Sequence, residues 1–482
     1  MPPSPSSRSN SSPAPNSTPA PRPSPAGGSA AGSSGEGSGA AADPSQPASQ
    51  STGGGDPREA VGLANRLAAL APYPFTRINQ LTYDARRAGR DVIDMSMGNP
   101  SDPPVQSIID RLTEAANDPR NHGYASPLGM DALRREVAAR YRRRWGVMLD
   151  PEAEVLCTLG SKEGMGHLCL AVVGPGDDVV APAPTYPAHL SAVVLAGGRP
   201  VAVETTDPAA FLAGVSRLCA TRVPKLVIVS FPHNPTGTVL AEGAGTTTAD
   251  PRPHEFYVEL IALARRHSFL VASDLAYADI AFDGYRPPSL LAVDGAKRCA
   301  VEFTTMSKGY NMAGWRVGFC AGNRDLVLAL ATVKTSYDYG MFRPIQIAAI
   351  TALREGDDAV DTQAHVYQRR RDVLCSELAR IGWPVTPPRA GMFVWAPIPP
   401  LAPAGKPAAG LVPTATGADA GPPNSMAFAA RLLEEADVAV SPGAGFGPSG
   451  EGFVRMALIE NEARLRLAAR RIAPLLAVGQ RA

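Results

Sequence analysis

Short apolar runs recur along the middle of the chain, at Val155, Asp178, Pro200, Leu226, Phe269, Ala300 and Trp315, and stretches of helical spacing such as Glu163 to Val173 and Glu255 to Arg266 separate them. Each run reads as a buried strand, and strands alternating with helices can bury both faces only in a helix-covered sheet. The expected fold class is therefore α/β, with a mainly parallel sheet sandwiched by helices. Later in the chain the pattern changes: helix-like Gln368 to Arg380 and Met426 to Ala436 alternate with strand-like Met392 to Ala396 and Phe453 to Leu458. These predict a smaller α+β domain that the segment from Leu63 to Pro100 joins. The expected organisation is a tail over residues 1–60, an arm and part of the small domain over 61–100, a large domain over 101–345, and a C-terminal small domain over 346–482 with a loop insertion near 402–424.

In open α/β sheets ligands bind beyond the carboxyl ends of the strands, so residues just past each apolar run are the first candidates for chemistry. Lys308 stands between the run ending at Met306 and the turn Gly309-Tyr-Asn-Met-Ala-Gly314. A desolvated lysine there offers a neutral amine that condenses with an aldehyde. Ser307 beside it and Arg316 eight positions on can converge on a phosphate through a hydroxyl and a guanidinium fork. A reactive lysine next to a phosphate site points to pyridoxal 5'-phosphate.

Upstream runs supply partners for such a ring. Asp274 closes Phe269-Leu-Val-Ala-Ser-Asp274 and needs a cation, which a protonated pyridine nitrogen would provide. Tyr277, three residues on, and Asn234, in Phe231-Pro-His-Asn-Pro-Thr-Gly237, can bond its phenolic oxygen. Ser161 and Lys162 open a helix after Leu159-Gly160, where backbone amides favour an anion. Each feature alone is an ordinary turn or cap; all four in sequence, each at a strand end, are not.

With these motifs the chain resembles the fold-type I pyridoxal-phosphate enzymes, and within them the class I/II aminotransferases, most nearly the bacterial glutamate-pyruvate (alanine) enzymes. The likeness rests on Ile93-Asp-Met-Ser-Met-Gly-Asn-Pro100, His122-Gly-Tyr-Ala-Ser-Pro-Leu-Gly129, Leu159-Gly-Ser-Lys-Glu-Gly164, Asp274-Leu-Ala-Tyr-Ala-Asp-Ile280, Ser307-Lys-Gly-Tyr-Asn-Met-Ala-Gly-Trp-Arg316 and Val454-Arg-Met-Ala-Leu458, and it extends from about Tyr73 almost to the C-terminus. The resemblance implies that Tyr186 stacks on the ring and that Tyr124 reaches the phosphate from the other subunit of a homodimer. It implies that Arg455 clamps the substrate α-carboxylate beside Gly98, with Asn99 and Tyr73 at the substrate end. Lys308 is then the catalytic residue. The implied reaction is reversible transfer of an amino group between an L-amino acid and a 2-oxo acid, ping-pong through pyridoxamine phosphate, with alanine and glutamate as donors and pyruvate and 2-oxoglutarate as acceptors. The same apparatus could instead serve methionine, aspartate or LL-diaminopimelate, or a carbon-sulfur β-lyase.

Two segments depart from the family pattern, Glu242 to His254 and Ala402 to Asn424, both of which read as surface insertions. Before Val61 there is no Val, Ile, Leu or aromatic residue, so this tail is expected to be disordered, and without an apolar signal core it suits a cytoplasmic protein. A formal charge of +1 leaves no footprint for nucleic acid, and no apolar run is long enough to span a membrane. Six cysteines scattered without CxxC spacing read as reduced core residues, and the histidines include no HExxH, so no metal is expected. Gly445-Phe-Gly-Pro-Ser-Gly450 matches a dinucleotide fingerprint but precedes a strand-like run, not a helix, and is discounted.

Overall fold

The computed structural model describes residues 62, 64–70, 74–205, 207–240, 254–402 and 424–476. The 1–60 tail, Tyr73 and nearly all of the segments 242–254 and 402–424 lie outside the described residues.

Eleven strands are described: β1 (Ile93–Met95), β2 (Val155–Thr158), β3 (Asp178–Ala183), β4 (Arg199–Glu204), β5 (Leu226–Val229), β6 (Leu270–Asp274), β7 (Ala300–Thr305), β8 (Gly318–Gly322), β9 (Phe393–Pro397), β10 (Val438–Pro442) and β11 (Phe453–Ala457). Seven form one sheet in the order β2-β8-β7-β6-β5-β3-β4. The pairs β4/β3, β3/β5, β5/β6 and β6/β7 are parallel, and β8 runs antiparallel to both β7 and β2. The strand expected to begin at Trp315 begins at Gly318, because Ala313–Trp315 closes a 3-10 turn whose next residue, Arg316, takes φ +60°.

Burial explains the placement. Leu226, Val227, Ile228 and Val229 of β5 are fully buried, as only a central strand under helices on both faces can be, whereas β4 is half-exposed at the sheet edge. Parallel neighbours need crossovers, and helices Pro187–Leu195, Pro208–Thr221 and Glu255–His267 provide them between β3 and β4, β4 and β5, and β5 and β6. No such helix joins β7 to antiparallel β8, so the short connection through Lys308 can lie across the strand ends. Because β2 is antiparallel to β8 and β8 to β7, the strands β2, β3, β5, β6 and β7 all point one way. The segments after them, with Ser161, Tyr186, Asn234, Asp274 and Lys308, therefore gather at one edge.

The second sheet has the order β1-β10-β11-β9, with β1 parallel to β10 and the remaining pairs antiparallel. Ile93, Met95, Val438, Val440, Val454 and Met456 pack there against Leu374, Leu378, Phe428, Leu432, Leu465 and Ile472. The N-terminal arm thus supplies a strand to the C-terminal part. The helix expected over Gln368 to Arg380 begins earlier, at Asp357, where Asp357 and Asp358 occupy the first turn and favour the helix dipole. All six cysteines are buried and unpaired. Gly443–Phe446 and Pro448–Gly450 are 3-10 turns leading into β11.

Candidate active site

Lys308 lies in the connection between β7 and β8, and its Nζ donates to the carbonyl of Gly98 at 2.5 Å. Burial lowers the pKa of this ammonium to about 8, helped by the fields of Arg455 and Arg316 and opposed by Asp274. Near neutral pH a useful fraction of the amine is therefore free of its proton. Gly98 has no room for a side chain: a Cβ there would meet the Phe393 ring at 2.6 Å. The carbonyl can come this close to the lysine only because the residue is glycine.

Asp274 is the last residue of β6. His189 Nε2 lies 3.0 Å from its Oδ2, and Thr185 Oγ1 lies 3.0 Å from the other ring nitrogen of His189. If Nε2 donates to the carboxylate, Nδ1 is left to accept from the threonine hydroxyl, which fixes the tautomer. Asp274 Oδ1 is buried and has no hydrogen-bond partner. A buried carboxylate oxygen without a donor is costly, so it marks a place where a donor, and best a cationic one, would be held.

Asn234 follows β5 and bridges two groups: its amide donates to Tyr277 Oη at 3.3 Å and its carbonyl oxygen accepts from Arg455 Nη1 at 2.9 Å. Burial raises the Tyr277 hydroxyl above its ordinary range, keeping it a neutral donor. Arg455, on β11, also donates to the Ser96 carbonyl at 3.0 Å and to Ser441 Oγ at 3.3 Å. Its guanidinium sits 4.0 Å from the centre of the Phe393 ring and 4.6 Å from that of Phe446. Three backbone or side-chain oxygens and two aromatic faces hold this buried cation in one orientation.

The loop at Gly160 forms another wall. Gly160 has φ +83°, and a Cβ on it would lie 2.5 Å from Arg316 Nη2, so close approach and backbone conformation both require glycine. Arg316 donates to the carbonyls of Leu159 and Ala313. Ser161 and Lys162 begin the helix Ser161–Val172, and Ser307 is fixed by its backbone N–H donating to Thr305 Oγ1 at 3.1 Å. Tyr186 is the half-buried residue preceding the helix Pro187–Leu195, its ring edge-on to His189 at 5.8 Å.

Two expected residues stand apart. Tyr124 is 89% exposed in the single chain and touches Tyr339 edge-on, and Asn99 is exposed. Tyr73 is outside the described residues. Sequence reasoning missed Thr185 and His189, although a Thr-x3-His spacing at a strand-to-helix junction was the available signal. It also missed the buried His233, whose imidazole burial holds neutral, its pKa lowered to about 3, next in chain to Asn234.

The fold is that of the fold-type I pyridoxal-phosphate enzymes, and solved structures that share it include aminotransferases. The family "Aminotransferase class I and II" matches residues 90–472. The glutamate-pyruvate aminotransferase AlaC of Escherichia coli is 43% identical over 84% of this chain and 92% of its own length. An LL-diaminopimelate aminotransferase of Desulforudis audaxviator is 41% identical over 82% of this chain and 93% of its own. Among solved structures, a Thermus thermophilus aspartate aminotransferase single mutant superposes with a TM-score of 0.73 at 28% identity, covering 86% of this chain and 99% of that one. The chain belongs to the class I and II aminotransferases, whose cofactor is pyridoxal 5'-phosphate. The residues present fit that group: an amine shifted toward neutrality, a buried carboxylate oxygen lacking a donor, and a glycine turn beside an arginine. Among the described residues no helix is long and apolar enough to cross a membrane.

Proposed function

We propose that this aminotransferase exchanges amino groups among alanine, glutamate, pyruvate and 2-oxoglutarate. What carries the reaction type is the desolvated Lys308 amine, which feels the charges of both Asp274 and Arg455, together with an Asp274 oxygen that lacks a donor. What supports the substrate pair is the 43% identity to a glutamate-pyruvate aminotransferase. The 41% identity to an LL-diaminopimelate aminotransferase favours a second reading, in which the amino donor carries a second amino-acid head.

When bound, pyridoxal phosphate supplies an aldehyde that takes up amino groups and a ring that draws electrons from the substrate α-carbon. In our reading Lys308 is the residue that would hold it covalently and, once released by the incoming amino acid, the general base that would take the substrate α-proton and the general acid that would give it back. A pKa near 8 suits both duties, since the amine must accept and give up a proton near neutral pH. Asp274, oriented by His189, would hold the protonated ring nitrogen, and its Oδ1 is the oxygen without a donor. Asn234 and Tyr277 would bind the phenolic oxygen, and Tyr186 would cover the ring face. Ser161, Lys162, Ser307 and Arg316 form the phosphate cup, which the partner subunit's Tyr124 completes in a homodimer. The exposure of Tyr124 supports this, because an uncovered aromatic ring beside Tyr339 suits a subunit contact. Arg455 binds the α-carboxylate beside the Gly98 backbone, and Asn99 and Tyr73 face the variable end of the substrate.

A panel of amino donors against pyruvate and 2-oxoglutarate tests the reading. Alanine and glutamate are expected to have the highest kcat/KM; LL-diaminopimelate, methionine or aspartate exceeding alanine by about tenfold, a difference of roughly 1.4 kcal/mol, would replace the substrate assignment and keep the reaction.

A further inference from the structure

We infer that Asp279, gripped by Arg140 and Arg144, is a positioning residue that sets the Lys308 turn against the segment carrying Asp274 and Tyr277. The inference rests on the reading of Lys308 as the reactive amine. Asp279 follows Tyr277 by two residues and is not among the residues placed in the site above. Its Oδ1 accepts from Arg140 Nη2 at 2.5 Å and from Arg144 Nη1, while Arg144 Nη2 donates to the carbonyl of Ala278. Arg140 also donates from Nη1 to the hydroxyl of Tyr310 at 2.6 Å, and Tyr310 stands two residues after Lys308. One guanidinium therefore ties the two chain segments that carry the reacting groups.

Contact between those segments is direct. A Cβ on Gly309, the residue after Lys308, would lie 2.4 Å from Asp279 Cβ, so the lysine turn rests on the aspartate with no space between them. The side chains of Arg140 and Asp279 are 10% and 9% exposed. Burial raises the Asp279 carboxyl, but the two arginines outweigh it and hold the group below its ordinary range, so the tie is ionic. On the other side of the turn the holds are weaker: Asn311 donates to the Pro103 carbonyl at 3.3 Å. A buried ion cluster is poor evidence for stability, since packed apolar residues would serve as well. What such groups do is specify one geometry, and here the geometry specified is the distance from the lysine to the Asp274 and Tyr277 side chains.

Full-length holoenzyme variants test this. Asp279→Asn keeps shape and removes the charge; Tyr310→Phe keeps the ring and removes only the hydroxyl bonded to Arg140. An offset of about an ångström at a reacting group costs on the order of 100-fold. Asp279→Asn is therefore expected to lower kcat by about 10- to 100-fold with KM for the amino donor changed less than about threefold, and Tyr310→Phe to lower kcat by about fivefold. In both variants the midpoint pH of the visible-absorbance titration of the bound cofactor should move by about half a unit, and Tyr310→Phe should have little further effect in an Arg140→Lys background. Wild-type kcat and midpoint in Tyr310→Phe, or a melting temperature that falls with an unmoved midpoint, would overturn the positioning role. Borohydride reduction and peptide mapping of the wild type keep the two claims separate: cofactor attached to a lysine other than Lys308 defeats the reading of the site, whereas attachment to Lys308 with unaffected variants defeats only the inference about Asp279.

Discussion

Two lysines, the partly buried Lys308 and the fully buried Lys334, live in opposite surroundings. Lys334 is 1% exposed, with Glu163 Oε1 at 3.3 Å and Asp338 Oδ1 at 3.0 Å from its Nζ. Lys308 faces a carbonyl, and two arginines oppose its charge. Both ammonium groups are withdrawn from water to some degree; the charges around them differ. A desolvated ammonium between two carboxylates is an ion pair that props up structure, while one opposed by guanidinium groups gives up its proton and becomes a nucleophile. Glu163 serves the structural side further by accepting from the Leu159 N–H at 2.9 Å, which ties the ion pair to the loop ahead of Ser161.

The comparison breaks most sharply at Lys308 itself. Lys308→Ala is expected to abolish turnover by several orders of magnitude while retaining cofactor in the phosphate cup, measured by steady-state kinetics and absorbance after gel filtration. In the wild type, borohydride should attach the cofactor to the peptide containing Lys308; label on Lys334 or Lys162 would invert the comparison. Asp274→Asn comes next. Loss of the charge opposite the ring nitrogen should lower kcat by about two to three orders of magnitude with an unchanged circular-dichroism spectrum, and near-normal kcat would show that another group faces the ring.

Arg455→Leu should be milder and more general. It removes a charge-assisted contact of roughly 1.5 to 3 kcal/mol to the α-carboxylate, so kcat/KM for alanine and glutamate should fall together. A fall for one substrate alone would place Arg455 at the side-chain end instead. Lys334→Met sharpens the comparison from its structural side. Glu163 and Asp338 would then lose the ammonium between them, with only the His167 ring at 2.6 Å from Glu163 as a basic partner, and the expected cost is about 1 to 3 kcal/mol by denaturant unfolding, below that of a fully buried pair because both keep some water. The borohydride label should stay on Lys308.

The smallest effect concerns Glu302, on β7 three residues before Thr305. Burial pushes its carboxyl up to about 7, against donors from Ser289, Leu290 and Ser273 that favour the charge. A folded-state pKa above the ordinary 4.5 means that the native protein binds a proton the unfolded chain releases between those values. Its stabilising contribution is thus full below about 4.5 and declines as pH rises toward 7. Glu302→Gln should flatten that part of the melting-temperature profile relative to wild type, and parallel profiles would show that Glu302 does not titrate there.

Much of this site was legible in the sequence because its residues sit at strand ends. An apolar run followed by a polar residue in a turn marks the carboxyl edge of a sheet, which is how Asn234, Asp274 and Lys308 could be singled out before any contact was known. His189 escaped because it lies inside the helix that follows its strand, and its meaning depends on Asp274, 85 residues later. Arg140 escaped for the same reason in stronger form. It is one arginine among several in Arg134-Arg-Glu-Val-Ala-Ala-Arg-Tyr-Arg-Arg-Arg144, a stretch that reads as an ordinary charged helix face, yet Arg140 is turned inward to Asp279 and Tyr310.

Local chemistry written along the chain therefore determined the sheet, its functional edge and the cofactor: these follow from hydrophobic runs, glycine turns and side-chain types, which are properties of near neighbours. Only the tertiary structure decided which lysine lies between carboxylates and which faces guanidinium groups, that Asp274 keeps one oxygen without a donor, and that one arginine joins the lysine turn to the aspartate segment. Those outcomes depend on charges brought together from distant parts of the chain, and electrostatic energy in a desolvated interior varies with distances that no local pattern encodes.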